Sequence, residues 1–120
     1  MERSEQEKGI QTIFVKQEFL DQIKKGSKTA EARPGFSIPI KPIIGEKIIF
    51  KSSQDSVMVI TTSIETYKSL DYLLQVNDTR RFGSNITKDN AKGIWKRLYP
   101  NYKGGDIIVI NFKINDHPRN

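Results

Sequence analysis

Apolar residues in this chain come in short runs, separated by glycine, proline and polar turns, and the period of each run names its element. Ile10-Gln11-Thr12-Ile13-Phe14-Val15 is β-branched and aromatic, which predicts a first strand. Phe19 and Ile23 then recur at i and i+4 beside Leu20, predicting a short helix over 18–25; acids sit early, Lys24 and Lys25 late, and Gly26 stops it. Lys28 to Arg33 is expected as a strand, ended by Pro34-Gly35. Pro39 and Pro42 make 36–44 a non-helical loop, and Ile38, Ile40, Ile43 and Ile44 predict that part of it packs down as a flap. Lys47–Lys51 and Ser56–Ile64 flank the turn Ser52-Ser53-Gln54-Asp55 and predict an antiparallel hairpin.

The second half repeats the logic. Ser69 is placed to cap a helix carrying Leu70, Leu73 and Leu74 at i, i+3, i+4. A polar loop over 77–85 contains Arg80-Arg81-Phe82-Gly83. Thr87 is expected to cap a third helix, Lys88–Leu98, whose apolar face is Ala91, Ile94, Trp95 and Leu98, with Trp95 a core anchor. Gly104-Gly105-Asp106 turns the chain into Ile107–Ile114, the most apolar strand. The order β-α-β-β-β-α-α-β with tight turns predicts one antiparallel α+β domain or small barrel over 9–115, with a polar leader (1–8) and tail (116–120).

Composition removes several chemistries. The 120 residues include no cysteine and one histidine, His117, placed in the tail. Disulfide scaffolds, thiolate metal sites and cysteine nucleophiles are excluded, and so are paired-histidine mechanisms; no metal and no cofactor are expected. No apolar stretch reaches the ~20 residues that span a bilayer, and the charged start does not resemble a signal peptide, so a soluble, cytoplasmic, monomeric protein without a membrane partner is expected. The formal net charge is +6. A basic balance points to a polyanionic partner, yet 17 Ile and 14 Lys against 5 Leu, 6 Arg and 3 Ala is also what AT-rich codon usage produces. The position of each charge therefore carries more weight than the total.

The octet Gly26-Ser27-Lys28-Thr29-Ala30-Glu31-Ala32-Arg33 is the most informative segment. In a strand, alternation puts Thr29, Glu31 and Arg33 on one face and two small residues, Ala30 and Ala32, on the other. Taken alone, Glu31 and Arg33 read as a partly exposed salt bridge on the outer face worth roughly 0–1 kcal/mol. The whole form G-x-K-x-x-E-x-R, between a short helix and a Gly-acid turn into a strand, resembles the ASCH family of the PUA-like superfamily. The likeness spans residues 10 to 114, through Tyr67-Lys68-Ser69-Leu70 and the late helix with Tyr99.

That resemblance implies a small, PUA-like, mainly antiparallel β-barrel with flanking short helices. Lys28, Glu31 and Arg33 would line a cleft for RNA or a nucleotide. One ASCH branch of this size hydrolyses the amide of N4-acetylcytidine with a motif lysine, matching Lys28, a threonine nucleophile and a later glutamate. Here the threonine position falls on Glu31 and the glutamate position near Ser84, with no acid between Thr79 and Lys88. That mechanism therefore lacks its nucleophile and acid.

A basic stripe, Lys88, Lys92 and Lys96, runs along the third helix, with Arg97 and Lys103 adding to a patch beside Tyr99 and Tyr102; such a mixture suits single-stranded nucleic acid, although a solvated lysine face is an equal reading. Arg80 and Arg81 with an exposed Phe82 could form a clamp, against the plainer reading of a surface loop with Phe82 tucked beneath. The expectation is an RNA-, nucleotide- or nucleoside-binding module, with Lys28, Glu31 and Arg33 in the cleft and Arg80, Arg81, Lys92 and Lys96 as outer phosphate contacts. The alternatives are a metal-independent hydrolase, ribonuclease-like with Glu31 as base and Lys28 and Arg33 stabilising the phosphorane or acting on a modified nucleoside, and a protein-interaction module.

Overall fold

The structure, a computed structural model, describes residues 10–38 and 41–115. The expected leader, the tail with His117, and Ile40 of the expected flap lie outside these residues. Along the chain run β1 (Ile10–Phe14), α1 (Gln17–Lys25), β2 (Ala30–Pro34), β3 (Lys47–Lys51), β4 (Ser56–Tyr67), α2 (Leu70–Val76), α3 (Ala91–Leu98) and β5 (Ile107–Ile114). Short 3₁₀ turns lie at Gly35–Ser37 and Thr79–Phe82.

The five strands form one sheet in the order β1-β3-β4-β5-β2. Only the β1–β3 pair is parallel. The sheet curls into a half-barrel whose edges are β1 and β2. Among the described residues no ladder joins those edges; instead the Arg33 guanidinium on β2 donates across the gap to the Phe14 carbonyl on β1. A register shift between Thr61 and Ser63 puts a bulge in the long strand β4, where it pairs with β5. Bulges tighten local twist, which suits a sheet bent this far.

Each face of the sheet carries its own core. Leu20 and Ile23 of α1 pack with Ile48, Phe50, Val59, Ile110 and Phe112 on one face. Leu73 and Leu74 of α2, Phe82, and Ala91 and Trp95 of α3 pack with Ala30, Ile107 and Val109 on the other. Strand β2 pairs Glu31 with Ile110 and Arg33 with Ile108, and Ala30 and Ala32 with Asn111 and Val109. The charged residues of β2 therefore share the α1 face, and its alanines let the second core approach closely.

Several sequence expectations are corrected. Strand β2 starts at Ala30 rather than Lys28, because the N–H groups of Ser27 and Lys28 still bond back to the Gln22 carbonyl at the end of α1. Helix α3 begins at Ala91, not Lys88. Thr87 and Asn90 hold each other in a preceding turn, Thr87 N–H donating to Asn90 Oδ1 and Asn90 N–H to Thr87 Oγ1. Lys88 thus sits ahead of the helix, and the three-lysine helical stripe shrinks to Lys92 and Lys96. Strand β4 continues three residues beyond Ile64, past the bulge. The flap packs through Ile38 and Pro42, while Ile43 and Ile44 are exposed.

Gly26 ends α1 at φ +84°, its N–H reaching back to the last helical carbonyls. That left-handed backbone costs other residues about 1–2 kcal/mol. Gly26→Ala is therefore expected to lose about 1–2 kcal/mol in urea unfolding, with no side-chain clash contributing, because the space around a Cβ there is open.

Candidate functional site

Lys28, three residues past the end of α1, turns inward and is buried. Its Nζ donates to the carbonyls of Ala30 and Phe82, both at 2.7 Å, and lies 2.9 Å from Glu31 Oε1. Three acceptors match the three donors of an ammonium group, which also sits 5.4 Å from the centre of the Phe19 ring. Glu31 Oε2 accepts from Arg33 Nε at 2.6 Å. The octet thus converges as the resemblance implies, with one correction. Glu31 and Arg33 do not form an outer-face bridge; the pair is enclosed by the half-barrel edge, with side-chain exposures of 9% and 17%.

Burial alone would raise the Glu31 carboxyl, but the charges and hydrogen bonds of Lys28 and Arg33 outweigh it and hold the group below its ordinary value. Burial likewise opposes the charge on Arg33, and the charge and hydrogen bond of Glu31 more than restore it. The cluster is an ion triad, with Lys28 and Arg33 on either side of the Glu31 carboxylate. A carboxylate held by two cations is a weaker base than a free one, and the three donors of the Lys28 ammonium each have an acceptor.

Above this cluster opens a cavity of about 260 Å³. Its floor is Lys28, Glu31 and Arg33 with Ala32, and its walls are Phe14, Val15 and Phe19 on one side and Leu70, Phe82, Ile94, Trp95 and Tyr99 on the other. Trp95 is held by Tyr99 at 4.7 Å and, edge-on, by Tyr102 at 5.4 Å between ring centres. Burial, with the charge of Glu31, pushes the Tyr99 phenol above its ordinary value, which keeps it a neutral donor. A second groove of about 220 Å³ between α1 and α3 adjoins the cavity through Lys16, Phe19 and Ile94 and runs past Gln22, Asn85 and Arg97.

The remaining expected residues lie elsewhere. Arg80 is exposed and pairs with Asp78. Arg81 is bound into a polar cluster, donating to Glu65 at 3.1 Å and to the side-chain oxygens of Asn77 and Asn111. Tyr67 completes that cluster by donating to Glu65. Phe82, at the end of the 3₁₀ turn, is buried, which agrees with the plainer reading of a loop with its aromatic tucked beneath and not with a clamp; it walls the cavity and offers its carbonyl to Lys28. Lys92 pairs with the exposed Asp71 at 2.6 Å, and Lys96 is exposed. None of Arg80, Arg81, Lys92 or Lys96 lines the cavity.

Three features were missed from sequence. Lys16 stands at the mouth with nothing local to mark it. The Phe14 and Phe82 carbonyls act through backbone, which no side-chain pattern reveals. The Glu65–Arg81–Asn111 cluster did leave a trace, because Asn111 is a polar residue in the middle of the most apolar strand. Among the described residues no group of three or more His, Asp or Glu side chains could hold a metal ion, and no helix is long and apolar enough to cross a membrane.

No family model matches the chain, and no curated protein matches it in sequence. Solved structures do. A hypothetical protein, PH0355, superposes with TM-score 0.68 at 19% identity, over 88% of this chain and 98% of its own. The ASCH protein from Zymomonas mobilis superposes at 0.66 with 16% identity, over 91% of this chain and 68% of its own. The ASCH domain from Lactobacillus crispatus superposes at 0.62 with 14% identity, over 91% and 81%. At these identities the likeness is one of fold: the chain carries the small α+β fold of the ASCH domains.

Proposed function

We propose that this protein is an ASCH-type module that binds a nucleobase-bearing ligand, a nucleotide or a base within RNA, in the cavity over Lys28, Glu31 and Arg33. The observation that carries this reading is the pairing of an apolar, aromatic-walled cavity with a buried cluster of net positive charge at its floor. A flat ring fits the walls by stacking and desolvation. Arg33 Nε faces Glu31 and one Nη faces Phe14, which leaves further guanidinium donors for a ligand carbonyl or phosphate. Lys16 and Arg97, exposed along the adjoining groove, are the nearest candidates for phosphates that follow the base. The volume lies just below the ~300–1,000 Å³ of pockets that enclose drug-sized ligands, so one base with part of its sugar is the natural load.

Binding is favoured over hydrolysis because Glu31 and Lys28 satisfy one another rather than a substrate. The test is titration with the four ribonucleoside monophosphates and with a short single-stranded RNA. Arg33→Ala is expected to weaken binding about tenfold or more, and Arg33→Lys to recover part of it. Lys16→Ala and Arg97→Ala are each expected to reduce the salt slope for RNA by about 0.7. Unchanged affinity and slope in all of these variants would overturn the site; RNA cleavage that persists in EDTA would favour the hydrolase.

A further inference from the structure

Strand β2 is an edge, and its unpaired side opens into the cavity. Phe112 N–H bonds to the Thr29 carbonyl and Gly35 N–H to the Asp106 carbonyl, which sets the phase of the ladder: within β2, Glu31 and Arg33 turn their backbone groups toward β5. The even-numbered residues 30, 32 and 34 turn theirs away, to the free edge. Pro34 fits this phasing, because proline has no N–H to lose there.

At that edge most groups are already used or missing. The Ala30 carbonyl accepts from Lys28 Nζ, and the Thr79–Phe82 turn lies alongside, with Thr29 N–H bonded to the Arg81 carbonyl. The Pro34 carbonyl accepts from Ser37 Oγ at 2.9 Å. Ala32 alone faces the cavity with both an N–H and a carbonyl and no backbone partner among the described residues. Exposed edge groups are strong hydrogen-bonding sites, and buried ones are costly unless matched.

We propose that the Ala32 N–H and carbonyl form the hydrogen-bonding edge that receives the ligand's base. This rests on the nucleobase reading above and narrows it: the ring presents an adjacent donor and acceptor to the sheet edge, as every nucleobase does on its pairing edge. The site takes one planar ring rather than an added peptide strand. The edge is capped at the Ala30 end by the 3₁₀ turn and stopped at the other by Pro34, so only one residue is open, and strand addition needs several in succession. The small side chain of Ala32 belongs to the opposite face and leaves the edge unobstructed.

The test is amide-resolved NMR with the four ribonucleoside monophosphates, together with the variant Ala32→Pro. That substitution removes the edge N–H without removing a β5 ladder bond. The expected result is a downfield shift and slowed exchange of the Ala32 amide proton on saturation, and about a tenfold weaker Kd in Ala32→Pro, equivalent to about 1.4 kcal/mol. If cavity residues such as Phe82 and Tyr99 respond but Ala32 does not, this inference is overturned while the nucleotide reading stands. It is overturned in the same way if Ala32→Pro folds and binds as well as the unaltered protein. If no cavity residue responds to any of the four nucleotides, both fail. Should the proline variant not fold, the amide response of the unaltered protein decides.

Discussion

Replacing Glu31 by alanine is expected to cost roughly 3–5 kcal/mol of folding stability, more than any exposed charge in this chain could. The carboxylate is buried between Lys28 and Arg33, and both cations would be left uncompensated beneath the cavity. For a domain of this size the loss lowers the thermal midpoint by on the order of 10–25 °C. Lys28→Met in the Glu31→Ala background should recover part of it by removing one stranded cation, a coupling that a double-mutant cycle measures. Because the folded Glu31 carboxyl titrates below its unfolded value of 4.5, its contribution is fully present above that value. It is lost as pH falls through the lower folded value, so acid unfolding should be steeper in the unaltered protein than in Glu31→Gln. A loss below about 1 kcal/mol for Glu31→Ala would mean that water reaches the cluster and that the site is not enclosed.

Trp95→Ala is expected to cost about 3–5 kcal/mol as well, by a different route. The indole fills the space between α3 and the sheet and packs with Tyr99 and Tyr102. Truncation opens the wall of the cavity and removes contacts shared with Ile107 and Val109. Trp95→Phe separates packing from polarity. The indole N–H is buried without a hydrogen-bond partner among the described residues, so phenylalanine removes an unmatched donor while keeping most of the contact. The two effects oppose each other, and the variant should stay within about 1.5 kcal/mol of the unaltered protein. Urea unfolding of the pair checks this: similar large losses for both substitutions would show that the N–H is engaged. Trp95→Ala should also weaken nucleotide binding beyond its effect on stability, since it removes a wall against which a base stacks.

Most of the elements were legible along the chain because each rests on local chemistry. Ser69 accepts from Tyr72 N–H as the capping pattern requires. Gly26 stops α1 through its own backbone, and Leu70, Leu73 and Leu74 bury the expected stripe. The start of α3 was placed early because Thr87 does cap a turn, accepting from Asn90 N–H while its carbonyl accepts from Ala91 N–H, but regular helix is taken up only from Ala91. The end of β4 was placed three residues early because Glu65-Thr66-Tyr67 lacks the apolar run that marks the rest of the strand; its pairing with Val109, Ile108 and Ile107 of β5 is what keeps it extended. The basic residues of the groove were harder still. Lys16 is one lysine among 14, and its place at the cavity mouth depends on how α1 meets α3.

By itself the sequence determined the order of elements, the two-faced alternation of β2 and the chemical repertoire: without cysteine, and with its lone histidine near the C-terminus, lysine, arginine and carboxylate are the groups left to act. It also set the octet's spacing, which brings Lys28, Glu31 and Arg33 within reach of one another. The tertiary structure decided that this trio is buried. Alternation says only that Glu31 and Arg33 share a face. Whether that face meets water depends on the curl of the sheet, on α1 lying across it, and on Phe82 arriving from a distant turn. The same closure decides the chemistry, because an ion pair that water would screen at the surface becomes, once enclosed, a held carboxylate with two partners. It also brings the free edge at Ala32 to the floor of the cavity, a property of backbone phasing between β2 and β5 that no side-chain pattern records.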